Sequence, residues 1–198
     1  MVLAEPIQIT QRIAQEFERI GIRYLIGGSL ASSLHGIPRA TNDVDMVAEI
    51  THEHIPLLVK ALESDFYIDT EIIREAIQRR SSFNVISLAT MFKVDIFVLK
   101  PDIASQQEMA RREQYNVSET SEQTLFLASA EDVIVHKLYW YQLNGEISER
   151  QWNDVLGILQ VQDEKLDYAY LEQAAQQRGV HTLLERALKE AAREMIPE

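Results

Sequence analysis

The sequence predicts an α/β (α+β) fold, with a small mixed β-sheet and flanking helices over residues 1–100 and a mainly helical lobe over residues 101–198. Three observations carry this. Short apolar runs bounded by turn residues alternate with stretches of helical spacing through the first hundred residues. Two of those runs are separated only by Ala89-Thr90-Met91, a spacing short enough for an antiparallel hairpin. Beyond residue 100 the apolar positions recur at helical intervals almost throughout.

Taken in order, residues 6–20 place Ile9, Ile13, Phe17 and Ile20 on one helical face. Ile22 to Ile26 form a first strand, and a short helix with Leu30, Ala31 and Leu34 opens at Gly27-Gly28-Ser29. Asp43 to Ile50 form a second strand. Ile55, Leu58, Val59 and Leu62 mark a third helix, and Thr70 to Arg80 a fourth. Phe83 to Leu88 and Phe92 to Leu99 are the hairpin strands. Polar stretches at 100–104 and 116–123 read as linkers. Ser129-x-x-Asp132 is close to a capping box and Ser148-x-x-Gln151 fits one, so helices start near residues 130 and 149. Tyr168 to Arg178 and Thr182 to Met195 are two further helices, divided at Gly179.

A chain of 198 residues with 46% hydrophobic content can bury a substantial core. It has no cysteine, no cleavable leader and no apolar stretch of membrane length, so it reads as soluble and cytoplasmic, without a membrane partner. Net charge is −12, with 10 basic against 13 acidic residues in the first hundred and 9 against 18 in the rest. That balance argues against a large nucleic-acid footprint, which needs a basic stripe, but leaves room for a nucleotide.

The chemistry concentrates in residues 27–47. A glycine pair between a strand and a helix lets backbone N–H groups face an anion at close range. Asp43 and Asp45 lie two apart in a strand, so both carboxylates leave the same face, roughly 7 Å apart at Cα, and suit one hard cation. Asp95 is an acid inside the apolar run Phe92 to Leu99, where a carboxylate needs a partner. Plainer readings exist for each: a tight turn at the glycines, an Asn42-Asp43 turn cap, and an exposed strand face on which Lys93 partners Asp95. Lys137 shares a helical face with Val133, Trp140 and Tyr141 and can lay its stem on those rings. Arg150 and Asp154, four apart, can form a surface pair. His52 and His54 project to different helix faces and suit no shared zinc. Tyr139-Trp140-Tyr141 with Trp152 read as packing, and Arg74, Arg79 and Arg80 as a solvated basic face.

A Gly-Gly-Ser turn, an Asp-x-Asp pair about a dozen residues on and a later lone strand aspartate resemble the nucleotidyltransferase superfamily typified by DNA polymerase β. The run from Gly36 to Asp45, GIPRATNDVD, is similar to small bacterial nucleotidyltransferases of the abortive-infection, toxin–antitoxin type. The segment Ala130 to Leu138, and Arg150 with Asp154, resemble their later helical motifs. The resemblance implies transfer of a nucleoside monophosphate from an NTP such as ATP to an acceptor hydroxyl, in a cleft between the two lobes. It implies Asp43 and Asp45 holding Mg²⁺ (or Mn²⁺) and Asp95 as further ligand or base. Gly28 and Ser29 would grip the β- and γ-phosphates, and Arg39 and Lys137 would neutralise them. Thr41, Arg150 and Asp154 would stand behind these. The acceptor is a protein, tRNA or small molecule, and an antitoxin or a second copy of the chain is the protein partner the resemblance brings with it. The alternative is an inactive homologue that keeps the fold and binds nucleotide or a partner.

Overall fold

Along Asp43-Val44-Asp45-Met46-Val47-Ala48, Val44, Met46 and Ala48 are fully buried, while Asp43, Asp45 and Val47 are partly exposed. This is the period-two pattern of a strand covered on one side only. The same alternation runs through Ser82–Ser87 and Lys93–Val98, where Phe83, Val85, Val94, Ile96 and Val98 point inward. Each such side chain contributes about 1.5–3 kcal/mol of burial, which fixes the face each strand presents.

The computed structural model describes residues 5–117 and 124–194. Its first elements are α1 (Glu5–Ile20), β1 (Tyr24–Ile26), α2 (Gly28–His35), β2 (Asp43–Ala48), α3 (Ile55–Leu62) and β3 (Phe66–Tyr67). There follow α4 (Thr70–Arg79), β4 (Ser82–Ser87), β5 (Lys93–Val98), α5 (Ile103–Arg111), β6 (Glu113–Asn116) and β7 (Thr124–Leu127). The remainder is helical: α6 (Ala130–Leu143), α7 (Glu149–Gln162), α8 (Tyr168–Arg178) and α9 (His181–Glu194). The architecture is mixed α/β.

These elements form two compact units, one of residues up to Gly27 and from Thr41 to Ala128, the other of Gly28–Ala40 and the residues from Ser129 on. The first unit holds one seven-stranded sheet in the order β3-β4-β5-β2-β1-β7-β6. β2 runs parallel to β5 and β1 parallel to β7, whereas β1/β2, β3/β4, β4/β5 and β6/β7 are antiparallel. Helices α1, α3 and α4 cover its apolar side, with Ile13, Phe17, Leu58, Leu62 and Ile73 fully buried. The second unit is a helical cluster in which α2 and α9 pack on α7, and α6 on α7 and α8.

Two readings need correction. The stretch after residue 100 is mainly helical, as expected, but β6 and β7 within it extend the sheet; β7 pairs with β1 at Leu127 and Ile26. β6 is a largely exposed edge of four polar residues, and β7 is too short to show a period. The expected boundary at residue 100 therefore falls inside the first unit. Of the linker expected at 100–104, residues 100–102 lie outside any helix or strand, whereas Ile103 already opens α5, where Asp102 Oδ1 accepts the Ser105 amide at 2.9 Å. In the second linker, 116–123, residues 118–123 lie outside the described residues, as does Met195 at the end of the last expected helix. The helix starts at 130 and 149 carry their caps: Ser129 Oγ accepts from the Asp132 amide at 3.2 Å and Ser148 Oγ from the Gln151 amide at 3.4 Å. Gly179 ends α8 in the left-handed region at φ 73°.

Candidate functional site

In the first unit, the parallel register of β2 and β5 sets Asp45 beside Asp95 and Asp43 beside Lys93. Paired residues of neighbouring strands leave a sheet on the same side, with strands about 4.8 Å apart. Asp43, Asp45 and Asp95 therefore share one face, the side opposite the helix-covered core. The antiparallel register adds Asn84 of β4 opposite Asp95. Across the sheet, Asn84, Asp95 and Asp45 form a polar row that ends at Gly27, whose amide donates to the Asp45 carbonyl at 2.9 Å. Thr41 Oγ1 donates to the Asp43 carbonyl at 2.8 Å and fixes the entry to β2.

The side chains on this face are already partnered. Lys93 Nζ lies 2.7 Å from Asp95 Oδ2, and Asn84 Nδ2 donates to Asp95 Oδ1. The hydrogen-bonded Asp95 carboxylate raises the Lys93 pKa above the usual amine value; partial burial opposes the rise, and the charges of Asp95, Asp43 and Asp45 add to it. Three carboxylates on one face are the oxygen-donor set a hard divalent cation takes, so their chemistry and register fit Mg²⁺ or Mn²⁺. They are not drawn into a ready-made cage: among the described residues no group of three or more His, Asp or Glu side chains is gathered for a metal.

In the second unit, Gly28 opens α2 with φ 56°, a conformation that favours glycine. Ser29 follows on the first turn. Arg39 makes a two-toothed pair with Asp154 of α7, Nε to Oδ1 at 2.7 Å and Nη2 to Oδ2 at 2.8 Å, and Nη2 also donates to Ser29 Oγ at 2.7 Å. Lys137 of α6 donates to Asp154 Oδ2 at 2.6 Å. Asp154 and Lys137 each keep only 6% of their side-chain surface exposed. Burial pushes the Asp154 pKa up, but the hydrogen bonds from Arg39 and Lys137 and their charges outweigh it and hold the carboxyl below its ordinary 3.8. The expected Arg150–Asp154 pair is not what forms: Asp154 takes Arg39 and Lys137, while Arg150 is exposed. A buried carboxylate turns to cations that have lost water with it, and an exposed guanidinium has less to gain.

Sequence reasoning passed over Asn84 and treated Lys93 only as a neighbour of Asp95. The available signal was the two polar residues at alternate positions opening each strand, Ser82 and Asn84 in β4 and Lys93 and Asp95 in β5. Elsewhere, Arg74 and Arg79 pair with Glu71 and Glu75, which neutralises two charges of this basic run locally, and Arg80 donates to the Leu99 carbonyl. The Tyr141 and Trp152 rings lie 5.1 Å apart with the Arg186 guanidinium 4.1 Å over Trp152, a packing arrangement. His52 and His54 sit in one helical turn, and His54 Nδ1 accepts the Thr51 amide. Among the described residues no helix is long and apolar enough to cross a membrane.

No protein-family model and no curated protein matches the chain. Solved structures do. An antigenic nucleotidyltransferase-like protein from Paracoccidioides brasiliensis is similar at TM-score 0.60 and 20% identity, over 95% of this chain and 94% of that one. The antibiotic-resistance factor ANT(2'')-Ia is similar at TM-score 0.53 and 15% identity, over 92% and 97%. The lincosamide antibiotic adenylyltransferase LnuA, solved with lincomycin, is similar at TM-score 0.50 and 11% identity, over 79% and 96%. The chain has the nucleotidyltransferase fold.

Proposed function

We propose that the protein is a metal-dependent nucleotidyltransferase that moves a nucleoside monophosphate from an NTP to an acceptor hydroxyl. The observation that supports this most is the register of β2 and β5, which sets Asp95 on the face of Asp43 and Asp45. In the proposed reaction the acceptor oxygen bonds to the α-phosphorus, the α–β phosphoanhydride bond breaks and pyrophosphate leaves. The hydroxyl proton passes to a base, with Asp95 as base or as metal ligand. Mg²⁺ or Mn²⁺ on Asp43, Asp45 and Asp95 would neutralise charge on the phosphate oxygens and lower the hydroxyl pKa. Gly28 and Ser29 at the start of α2 would face phosphate oxygens, and Arg39 and Lys137, positioned by Asp154, would supply positive charge.

The net charge of −12 favours a small hydroxylated acceptor over tRNA. A role as a toxin–antitoxin component rests on the motif resemblance and is tested by growth arrest on expression with and without a co-expressed neighbour. The second reading, an inactive nucleotide binder, draws its support from the Lys93–Asp95 pair. Metal-dependent pyrophosphate release from NTP with an acceptor panel separates the two. The expected result is release by the parent protein and a fall of about 100-fold or more in Asp43→Asn and Asp45→Asn, with melting temperature little changed. Mg-ATP binding without turnover across the panel supports the binder instead, and full activity in both variants refutes the site.

A further inference from the structure

Lys93 is a cation that the carboxylate face holds. Its Nζ lies on Asp95 at 2.7 Å, its Cα partner across the sheet is Asp43, and it projects to the side shared by all three acids. The pair is not buried: Lys93 keeps 43% of its side-chain surface exposed and Asp95 18%. An ion pair so placed is easily exchanged, because either partner can recover water when it parts. A divalent cation using Asp95 must compete for the oxygen that the ammonium occupies.

Resting on the reading of these aspartates as metal ligands, we propose that Lys93 is the resident counter-ion of the carboxylate face, and that a divalent cation binds there by displacing its ammonium from Asp95. Lys93 is thus a positioning residue. It neutralises part of the mutual repulsion of the acids before metal arrives and sets how tightly metal binds afterwards. Its long, flexible stem, anchored at the start of β5, lets the head leave without moving the strand.

The test is Mn²⁺ binding to the full chain without nucleotide, followed by the loss of the free-ion paramagnetic resonance signal. Lys93→Gln should tighten binding by about three- to fivefold, the value of a half-exposed ion pair that no longer has to break. Lys100→Gln removes the same charge farther along the chain and should leave affinity within about twofold, since salt screens distant charges. A Lys93→Gln protein that binds Mn²⁺ no more tightly than the parent, or an equal gain in Lys100→Gln, overturns the displacement and leaves the metal-site reading standing. Absence of Mn²⁺ binding in both parent and Lys93→Gln overturns both. Circular dichroism of Lys93→Gln checks that the sheet is retained, as expected for a half-exposed position.

Discussion

Asp154 balances two cations with one buried carboxylate, and the sign of that balance can be measured. Replacing it with asparagine keeps the shape and removes the carboxylate charge that Arg39 and Lys137 share. Breaking a buried pair costs about 3–5 kcal/mol, and the low end is expected because Arg39 keeps 25% of its side-chain surface in water. Urea denaturation of Asp154→Asn against the parent checks this. The pH dependence follows from the direction of the shift. A carboxyl whose folded-state pKa lies below its unfolded value stabilises the fold above the unfolded value, and that contribution is lost as pH falls through the folded one. With an ordinary value of 3.8, the parent should hold this stability at neutral pH and lose it below about pH 4. Asp154→Asn should show a shallower decline over the same acid range. At this scale the sequence was only partly readable. Asp43 and Asp45 declare a shared face by their spacing alone, whereas Arg39 and Asp154 stand 115 residues apart, and nothing local marks them as partners.

Among the elements, α2 and α7 meet at two glycines. A Cβ on Gly36 would lie 2.8 Å from the Ile158 nitrogen and 2.9 Å from the Gly157 carbonyl carbon, backbone atoms that cannot step aside. Gly36→Ala should therefore destabilise by about 1–3 kcal/mol through overpacking, read as a lowered urea midpoint. Gly157→Ala is a different case. Its Cβ would meet Ile37 Cγ1 at 3.2 Å and the Ile37 nitrogen at 3.3 Å, a looser fit than at Gly36, and the gain of up to about 1 kcal/mol in helix propensity offsets part of that strain. A smaller loss than in Gly36→Ala is expected in the same measurement. Elements with a clean period or a cap were legible: β2, β4, β5 and the starts of α6 and α7 follow from residue pattern. β3 has two residues and β6 is an exposed polar edge, so their strand character comes from neighbours that supply hydrogen bonds, and neighbours are invisible in a linear pattern.

For the whole molecule, net charge bears on which acceptor the proposed reaction would use. Binding to a polyanion gains most of its affinity from phosphates neutralised by lysine and arginine, and a net charge of −12 works against it. Mixed tRNA should not be retarded in a gel by low micromolar protein at about 0.15 M salt, where surface fields reach only about 8 Å. Retardation there would redirect the search toward nucleic-acid acceptors. A ligand of the folded state reports from the other side. If the proposed site binds it, saturating Mn-ATP at about a hundred times its Kd should add about 2.7 kcal/mol, which for a chain of this size would raise the melting temperature by about 5–10 °C. That rise should vanish in Asp45→Asn.

The helical unit draws on two separate stretches of chain, Gly28–Ala40 and the residues from Ser129 on. A ribosome releases the first of these while α6 and α7 are still unmade. Leu30 and Ala31, buried in the finished protein, must then wait through on the order of ninety further residues of synthesis before their cover exists. A chain halted before Ser129 would carry that short helix as an unsheltered apolar segment, a target for chaperones and a seed for aggregation.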